Sequence, residues 1–128
     1  MNHPARRSIV PVYTSRGDAE AYLDYPYLHN KSGEWIGWVT PDRQVYSVLG
    51  IFVGELTAEP RIVRRRFTTA SLRSRKTPPR PPARLLIPPT IPLSPMLAEL
   101  RFGTTDVLLD EPQRLHTLDT GEERQDAD

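Results

Sequence analysis

Two clusters of basic residues lie close together in the middle of the sequence: Arg64, Arg65 and Arg66, then Arg73, Arg75 and Lys76. Clustered cations attract phosphate groups because binding releases counterions, so these six residues are candidate contacts for an anionic partner. A solvated basic linker, or one neutralised by an acidic segment, would show the same pattern. No recognisable RNA- or DNA-binding motif accompanies the charge. We therefore expect nucleic acid to be only an alternative partner.

The other titratable residues form no catalytic or metal-binding pattern. The three histidines, His3, His29 and His116, lack the spacing of metal ligands, and each is expected at the surface or in a turn. The carboxylate pair of Asp18 and Glu20 lies in no context that would bury one member and raise its pKa. The chain contains no Cys, which excludes thiolate chemistry and a disulfide scaffold. We expect a non-enzymatic protein without a cofactor or metal.

Charge is segregated along the 128-residue chain. The total of 17 Lys and Arg against 16 Asp and Glu gives a net charge of +1. Residues 1–60 nevertheless carry −2, residues 61–98 carry +9 with no acidic residue, and residues 99–128 carry −6. A partner would feel these blocks and not their mean. Hydrophobic residues make up 38% of the chain, and their concentration in the first block predicts that the core lies there.

The first block contains an internal repeat. Residues 12–23, 28–39 and 45–56 can be superposed without a gap, and their glycines, Gly17, Gly33 and Gly50, lie 16 and 17 residues apart. After each glycine, apolar and small residues recur with a period of two, which is typical of a strand. A short strand before the glycine makes each unit a β-hairpin, with the glycine at a positive φ in a bulged turn. The sequence therefore predicts an all-β unit of antiparallel hairpins.

The alternation also assigns two faces to each hairpin. One face repeats a small residue between apolar ones and is predicted to be the core. The opposite face is too apolar for contact with water at four positions, Ile36, Trp38, Ile51 and Val53. Either another part of the chain or another copy of it must cover these side chains. We expect them to form an oligomer interface, with Trp38 as its principal contact.

The run from Tyr27 to Asp42, with Gly-Glu-Trp-Ile-Gly-Trp-Val at residues 33–39, and the later Arg61-Ile62-Val63-Arg64 resemble the bacterial domain family called the 4-fold beta flower. The resemblance covers roughly residues 8–66. It implies a small all-β unit arranged about a fourfold axis, and it implies no activity, because the family has no known function. Four chains or four internal repeats would satisfy the name. A fourth internal repeat would need residues 61–67, which lack the turn glycine, so we favour a homotetramer.

A basic, Pro-rich strap follows the hairpins. Eight of the 14 prolines lie between Pro78 and Pro95, which excludes helix interiors and central strands and favours polyproline II. Apolar residues among them, such as Leu85 and Leu86, indicate that the strap lies against a surface. Residues 77–95 are therefore a candidate contact for a protein partner. Ser94 followed by Pro95 predicts the start of a helix of about two turns, and residues 104–109 fit a strand or a second short helix.

These observations divide the chain into a hairpin domain (1–67), a basic Pro-rich linker or strap (68–93), a short C-terminal helical or irregular segment (94–120) and an acidic tail (121–128). No apolar run is long enough to span a membrane, and no secretion signal is present, so we expect a cytoplasmic protein. The expected function is self-association as a structural or interaction protein. The alternatives are a scaffold or accessory subunit that docks on a larger bacterial complex through the strap, and nucleic-acid binding through the arginines.

Overall fold

A single curled antiparallel sheet dominates the computed structural model, which describes residues 8–66 and 75–119. Its eight strands follow one another in chain order. They are β1 (Val10–Tyr13), β2 (Ala19–Asp24), β3 (Tyr27–His29), β4 (Trp35–Val39), β5 (Gln44–Ser47), β6 (Phe52–Leu56), β7 (Ile62–Arg65) and β8 (Thr104–Asp106). A short helix, α1 (Val107–Asp110), and a 3₁₀ turn (Pro112–Arg114) follow β8. The predicted all-β fold is confirmed.

The sheet is a series of four hairpins, β1–β2, β3–β4, β5–β6 and β7–β8. Gly17, Gly33 and Gly50 have φ angles of 89°, 84° and 81° in the first three turns, as their spacing predicts. The fourth hairpin has its own glycine, Gly103, at a φ of 83°, and the carbonyl oxygen of Gly103 accepts a hydrogen bond from the Arg66 amide at 2.6 Å. Residues 67–102 are an insertion between the two strands of this hairpin.

The sequence count of three hairpins is therefore too low. The strands β7 and β8 pair through Val63 with Asp106 and Arg65 with Thr104, although these partners lie about 40 residues apart in the chain. A repeat interrupted by so long an insertion has no local signal. Four internal hairpins remove the argument by which three hairpins implied four chains, while the oligomeric state itself stays a prediction.

Each of the first three hairpins contains a β-bulge at the same place. The extra residue is the third after the turn glycine, namely Glu20, Ile36 and Val53. A bulge interrupts the alternation of faces, so residues on its two sides no longer follow a strict period of two. For this reason the predicted face of Ile36 and Val53 is wrong: both side chains are buried in the core of the chain.

The core lies on the concave face of the sheet. Every strand from β1 to β7 contributes aliphatic side chains to it, and α1 and Leu115 cover it. Its members are Val12, Ala21, Leu23, Leu28, Ile36, Val39, Val45, Val53, Leu56, Ile62, Val107, Leu108 and Leu115. The convex face is aromatic, because Trp38 pairs with Tyr46, and Tyr46 with Phe52, on the side opposite Val39 and Val45. The sheet therefore offers an aromatic outer surface to the inserted segment.

Candidate protein-interaction site

The inserted segment runs along the turns of the hairpins. We call residues 75–103 the belt. The Lys76 amide donates to the carbonyl oxygen of Gly50 at 3.1 Å, and the Leu85 amide donates to that of Gly33 at 2.9 Å. At the first hairpin, Ser94 packs so close to Gly17 that a Cβ there would lie 3.0 Å from the Ser94 hydroxyl oxygen. The belt thus passes the third, second and first hairpins and rejoins the fourth at Gly103.

The four docking residues 76, 85, 94 and 103 are nine residues apart. Nine residues are a multiple of three, the number of residues in one turn of an extended helix such as polyproline II, so this spacing places the docking residues on one side of the belt. Burial has the same period. Every third residue from Pro79 to Gly103 is buried or half-buried, whereas of the residues between them only Ile87 is not fully exposed. This inner edge consists of Pro79, Pro82, Leu85, Pro88, Ile91, Ser94, Leu97, Leu100 and Gly103.

The helix predicted to begin at Ser94 is therefore absent. Residues 94–100 continue the belt, and their burial has a period of three and not of 3.6. The residues of the outer edge in this stretch, Pro95, Met96, Ala98 and Glu99, are exposed to solvent. For residues 104–109 the sequence predicted a strand or a short helix. The structure contains both, because the three-residue strand β8 is followed directly by α1.

Side-chain contacts attach the belt to the sheet at three points between its start and Pro92. The Tyr13 hydroxyl donates to the carbonyl oxygen of Pro92 at 2.9 Å. The Lys76 ammonium lies 5.9 Å from the centre of the Tyr46 ring, within the range of a cation–π contact. The belt side chain of Arg84 also contacts the sheet: its guanidinium donates to the carbonyl oxygen of Ser32, in the turn of the second hairpin, at 2.8 Å.

A buried polar network holds the end of the belt. The Arg61 guanidinium donates to the carbonyl oxygen of Ala98 at 2.7 Å, to a Glu59 carboxylate oxygen at 2.8 Å and to the Ser15 hydroxyl at 2.8 Å. Glu59 in turn accepts a hydrogen bond from the Ala98 amide at 2.9 Å. That hydrogen bond, helped by Arg61, lowers the pKa of the Glu59 carboxyl. The paired charges of Glu59 and Arg61 therefore attach the belt to the sheet through the backbone of Ala98.

The same network connects the first hairpin of the sheet to the last strand. One carboxylate oxygen of Asp106, at the end of β8, accepts from both the amide and the hydroxyl of Ser15, each at 2.6 Å. Its other oxygen caps α1 by accepting from the Leu109 amide. Ser15 follows β1, so this carboxylate connects the first hairpin with the last. We call the network of Ser15, Glu59, Arg61 and Asp106 the seam.

The outer edges of the belt carry exposed apolar side chains. Leu86, Leu93, Met96 and Phe102 expose 89%, 94%, 97% and 92% of their surface, although the belt that bears them is fixed from inside. Their neighbour on the inner edge, Leu85, exposes 5%. Isolated exposed leucines are ordinary on proteins, but four nearly bare large side chains on one segment indicate a contact surface. This set, which we call the outer apolar residues, is the candidate interaction site.

A family model described as "4-fold beta flower protein" matches residues 10–105, from the first residue of β1 into β8. The chain belongs to this family. The matched range spans the belt as well as the hairpins. No curated protein and no solved structure matches the chain.

The beta flower fold distributes the four predicted interface residues over two environments. Ile36 and Val53 belong to the core of the single chain. Trp38 is half-buried, stacks on Tyr46 with 5.1 Å between ring centres, and donates from its indole to the carbonyl oxygen of Ser47. Ile51 is exposed. Their place at an oligomer interface stays a prediction, and only Trp38 and Ile51 offer accessible surface for it.

The predicted cationic residues are also divided. Arg64 forms a pair of hydrogen bonds with Glu111, both at 2.8 Å, and this pairing lowers the pKa of the Glu111 carboxyl to about 2. Arg65 lies 4.0 Å from Glu55. Arg66 follows β7 and is exposed, and Arg75 and Lys76 are exposed at the start of the belt. Arg73 and the acidic tail lie outside the described residues.

His29 corrects another expectation, since it is almost fully buried and its Nδ1 lies 3.1 Å from the carbonyl oxygen of Gly33. His116 is half-buried, and His3 lies outside the described residues. Within residues 8–66 and 75–119, no group of three or more His, Cys, Asp or Glu is placed to hold a metal ion. In the same part of the chain, no helix has the length and apolar character needed to cross a membrane.

The convex face near the end of β6 and along β7 differs from the rest of the sheet beneath the belt. Glu55, Val63 and Arg65 replace the aromatic side chains of the convex face, and a groove of about 520 Å³ opens between them and belt residues 98–103. The exposed outer apolar residue Phe102 borders this groove. Sequence reasoning missed both the groove and the seam, because each combines residues that lie far apart in the chain.

Proposed function

We propose that this beta flower protein is a non-enzymatic interaction module that binds another protein through the outer apolar residues of its belt. The observation that carries the proposal is the contrast between adjacent residues of one fixed segment, Leu85 buried and Leu86 exposed. The sheet fixes the belt from inside, so the outer side chains are held in place before any partner binds. This is the second of the functions expected from the sequence, docking through the Pro-rich segment.

The energetics of burial support this function. Covering a Leu, Met or Phe side chain contributes on the order of 1.5–3 kcal/mol, so the four outer apolar residues represent roughly 6–12 kcal/mol of gross stabilisation. Association costs of about 4–15 kcal/mol oppose this gain. The balance favours binding when the contact surface is already ordered, because little additional conformational entropy is then lost. The hydrogen bonds at Lys76, Leu85, Pro92 and Ala98 provide that order.

Affinity capture with the full chain tests the proposal. We expect the wild type to retrieve a protein that a Leu86→Glu, Leu93→Glu, Met96→Glu and Phe102→Glu quadruple variant does not retrieve. Every substituted side chain is exposed, so the quadruple variant is expected to fold, which circular dichroism checks. The matched control introduces glutamates at the exposed belt positions Ala83 and Thr90 and should retain the protein. Equal retrieval by the quadruple variant would refute the docking function.

Self-association into a homotetramer is a second candidate. The accessible surface of Trp38 and Ile51 on the convex face favours it, since aromatic and aliphatic side chains are typical anchors of an interface. Light scattering of the full chain should then give four times the chain mass. Trp38→Ala should lower this mass more than it lowers the stability of the fold. A monomer at all concentrations would eliminate the tetramer and leave the docking function intact.

Binding of an anionic polymer is the third candidate, and it rests on Arg75, Lys76 and Arg80, which are exposed together at the start of the belt. The pairing of Arg64 with Glu111 takes one predicted cation out of this surface. A mobility-shift titration with generic RNA and DNA at low salt tests it. We expect no salt-sensitive shift if protein docking is the function of the belt.

A further inference from the structure

The stretch of the belt from Ile91 to Leu97 follows a bend at Pro89–Thr90 and passes the turn of the first hairpin. Its inner edge is formed by Ile91, Ser94 and Leu97, which are half-buried. The four remaining residues are exposed and form two dipeptides, Pro92-Leu93 and Pro95-Met96. Each dipeptide pairs a proline with a large apolar side chain, and the second follows the first after one turn.

We propose that these two dipeptides are a polyproline ligand for a partner domain whose groove is lined by aromatic side chains. A polyproline II helix has three edges, and here one edge contacts the sheet while two face outward. Successive turns place the dipeptides about 9 Å apart along the helix axis. Aromatic-lined grooves read this pattern, in which two adjacent edges of a preformed helix enter neighbouring pockets. This inference rests on the proposed function and names its partner's chemistry.

The sheet pre-organises the ligand. The Tyr13 hydroxyl donates to the carbonyl oxygen of Pro92, and Arg61 donates to that of Ala98, so the stretch is fixed within the first dipeptide and two residues after the second. A free Pro-rich peptide already loses little entropy on binding, and a tethered one loses less. Leu86 has no such arrangement, because it lies before the bend and its neighbours Leu85 and Ile87 are buried or half-buried.

The absence of charge in this stretch selects the kind of partner. No residue from Leu85 to Ala98 is charged. A nucleic acid or an anionic lipid surface requires cations at the contact, which this stretch does not offer. A groove of aromatic side chains requires only the prolines and apolar residues that are present. The cations of the belt lie outside this stretch, at Arg75, Lys76, Arg80 and Arg84 before it and at Arg101 after it.

The test is a titration of the unlabelled full chain into ¹⁵N-labelled polyproline-reading domains of the SH3, WW and EVH1 classes, followed by NMR. We expect at least one domain to bind with a Kd of about 100 µM or tighter, with the largest shifts at its groove aromatics. Leu93→Glu combined with Met96→Glu should weaken this binding at least about tenfold. Ala83→Glu combined with Thr90→Glu, at exposed belt positions outside the outer apolar residues, should change it less than about twofold.

Three results would overturn the inference: no shift in any domain at about 1 mM chain, an equal loss of binding in the variant with glutamates at Ala83 and Thr90, or a chain mass in solution that rises above the monomer only when Leu93 and Met96 are intact. The last result would identify a second copy as the occupant. If affinity capture depends on the outer apolar residues while every domain fails to bind, the docking function stands and the polyproline inference falls.

Discussion

The sheet and the belt are ordered by different means. Aliphatic side chains from seven strands meet in one core beneath the curled sheet. The belt has only one deeply buried large side chain, Leu85, among its described residues, and otherwise depends on hydrogen bonds to hairpin turns and on the seam. Hydrophobic burial is the larger driving force for folding, whereas a hydrogen bond contributes on the order of 1 kcal/mol net. The sheet is therefore the stable unit, and the belt depends on its contacts with the sheet for its order.

This difference determines which surface is available for binding. A segment that uses one edge in three for attachment leaves its other two edges for a partner. A strand of the sheet has no such freedom, because one of its faces meets the core and the other meets aromatic neighbours or the belt. Substitutions at matched positions distinguish what holds the sheet from what holds the belt, and Arg61 contributes to both.

Arg61→Ala should have the largest effect, a loss of about 4 kcal/mol in the free energy of unfolding, because it leaves Glu59 and the seam without their buried cation. Urea unfolding measures this loss. The control is Arg65→Ala, since Arg65 is mostly exposed and lies 4.0 Å from its partner, and it should cost less than about 0.5 kcal/mol. Similar losses in the two variants would show that the seam does not join sheet and belt.

Gly33→Ala should cost about 3 kcal/mol. Its φ of 84° disfavours any residue with a Cβ, and that Cβ would lie 2.0 Å from the carbonyl oxygen of Leu85, so the belt must move away. Gly17→Ala is the matched control. Its φ is 89°, but the nearest atom is the Ser94 hydroxyl oxygen at 3.0 Å, which can rotate away, and about 1 kcal/mol of strain should remain.

Amide hydrogen exchange locates the effect of these two substitutions. In Gly33→Ala, the Leu85 amide should lose its protection while core amides of β4 and β5 keep theirs, because only the belt is displaced. Equal costs for the two glycines, or equal loss of protection in the sheet, would mean that the belt does not dock at Gly33.

Leu85→Ala should cost about 2 kcal/mol, the low end for a buried leucine, because it lies near the surface of the molecule. Leu86→Ala, one residue further, should change the free energy of unfolding by less than about 0.5 kcal/mol. Thermal or urea unfolding of the pair compares the inner and outer edges directly. The same value for both would refute a belt with one attached edge.

The first three hairpins could be predicted from the sequence, but the pairing of β7 with β8 across the inserted segment could not. Glycine spacing predicted the turns at Gly17, Gly33 and Gly50 because turn chemistry is local. The predicted faces of Ile36 and Val53 were wrong because each is the extra residue of a bulge, where the alternation of faces is interrupted, and the apolar pattern shows no sign of that interruption. The fourth hairpin was missed because its strands are separated by residues 67–102.

The candidate site was only partly predictable. Proline content predicted an extended strap and a protein contact in residues 77–95, and the structure adds the period of three that separates its edges. That period is weak in the sequence, since the inner edge mixes proline, leucine, isoleucine and serine. The seam has no sequence signal, because Ser15, Arg61 and Asp106 become neighbours only when the two ends of the sheet meet.

The smallest expected effect is on pH dependence. The pKa of Glu111 falls from 4.5 to about 2 in the folded chain because Arg64 binds its carboxylate. The stabilisation is complete above the unfolded pKa of 4.5 and is lost as the pH falls from there toward 2. After allowance for screening of a partly exposed pair, it amounts to about 1 kcal/mol.

Arg64→Met tests this contribution. It should flatten the fall in unfolding free energy between about pH 5 and pH 2.5, while Arg65→Met should leave that fall unchanged. Urea unfolding at the two pH values provides the comparison. A profile for Arg64→Met that matches the wild type would show that the ion pair between β7 and the residue after α1 adds no stability.

The central claim is that the belt is attached to the sheet along one edge. A cysteine scan tests it most directly, and the absence of native Cys makes this scan possible. Single cysteines at successive positions from 79 to 103 would be labelled with a thiol reagent in the folded chain. We predict minima of labelling rate at every third residue, through positions 79, 82, 85 and so on to 103, with fast labelling at 86, 93 and 96. Uniform rates along the segment, or minima that recur with a period other than three, would contradict the account.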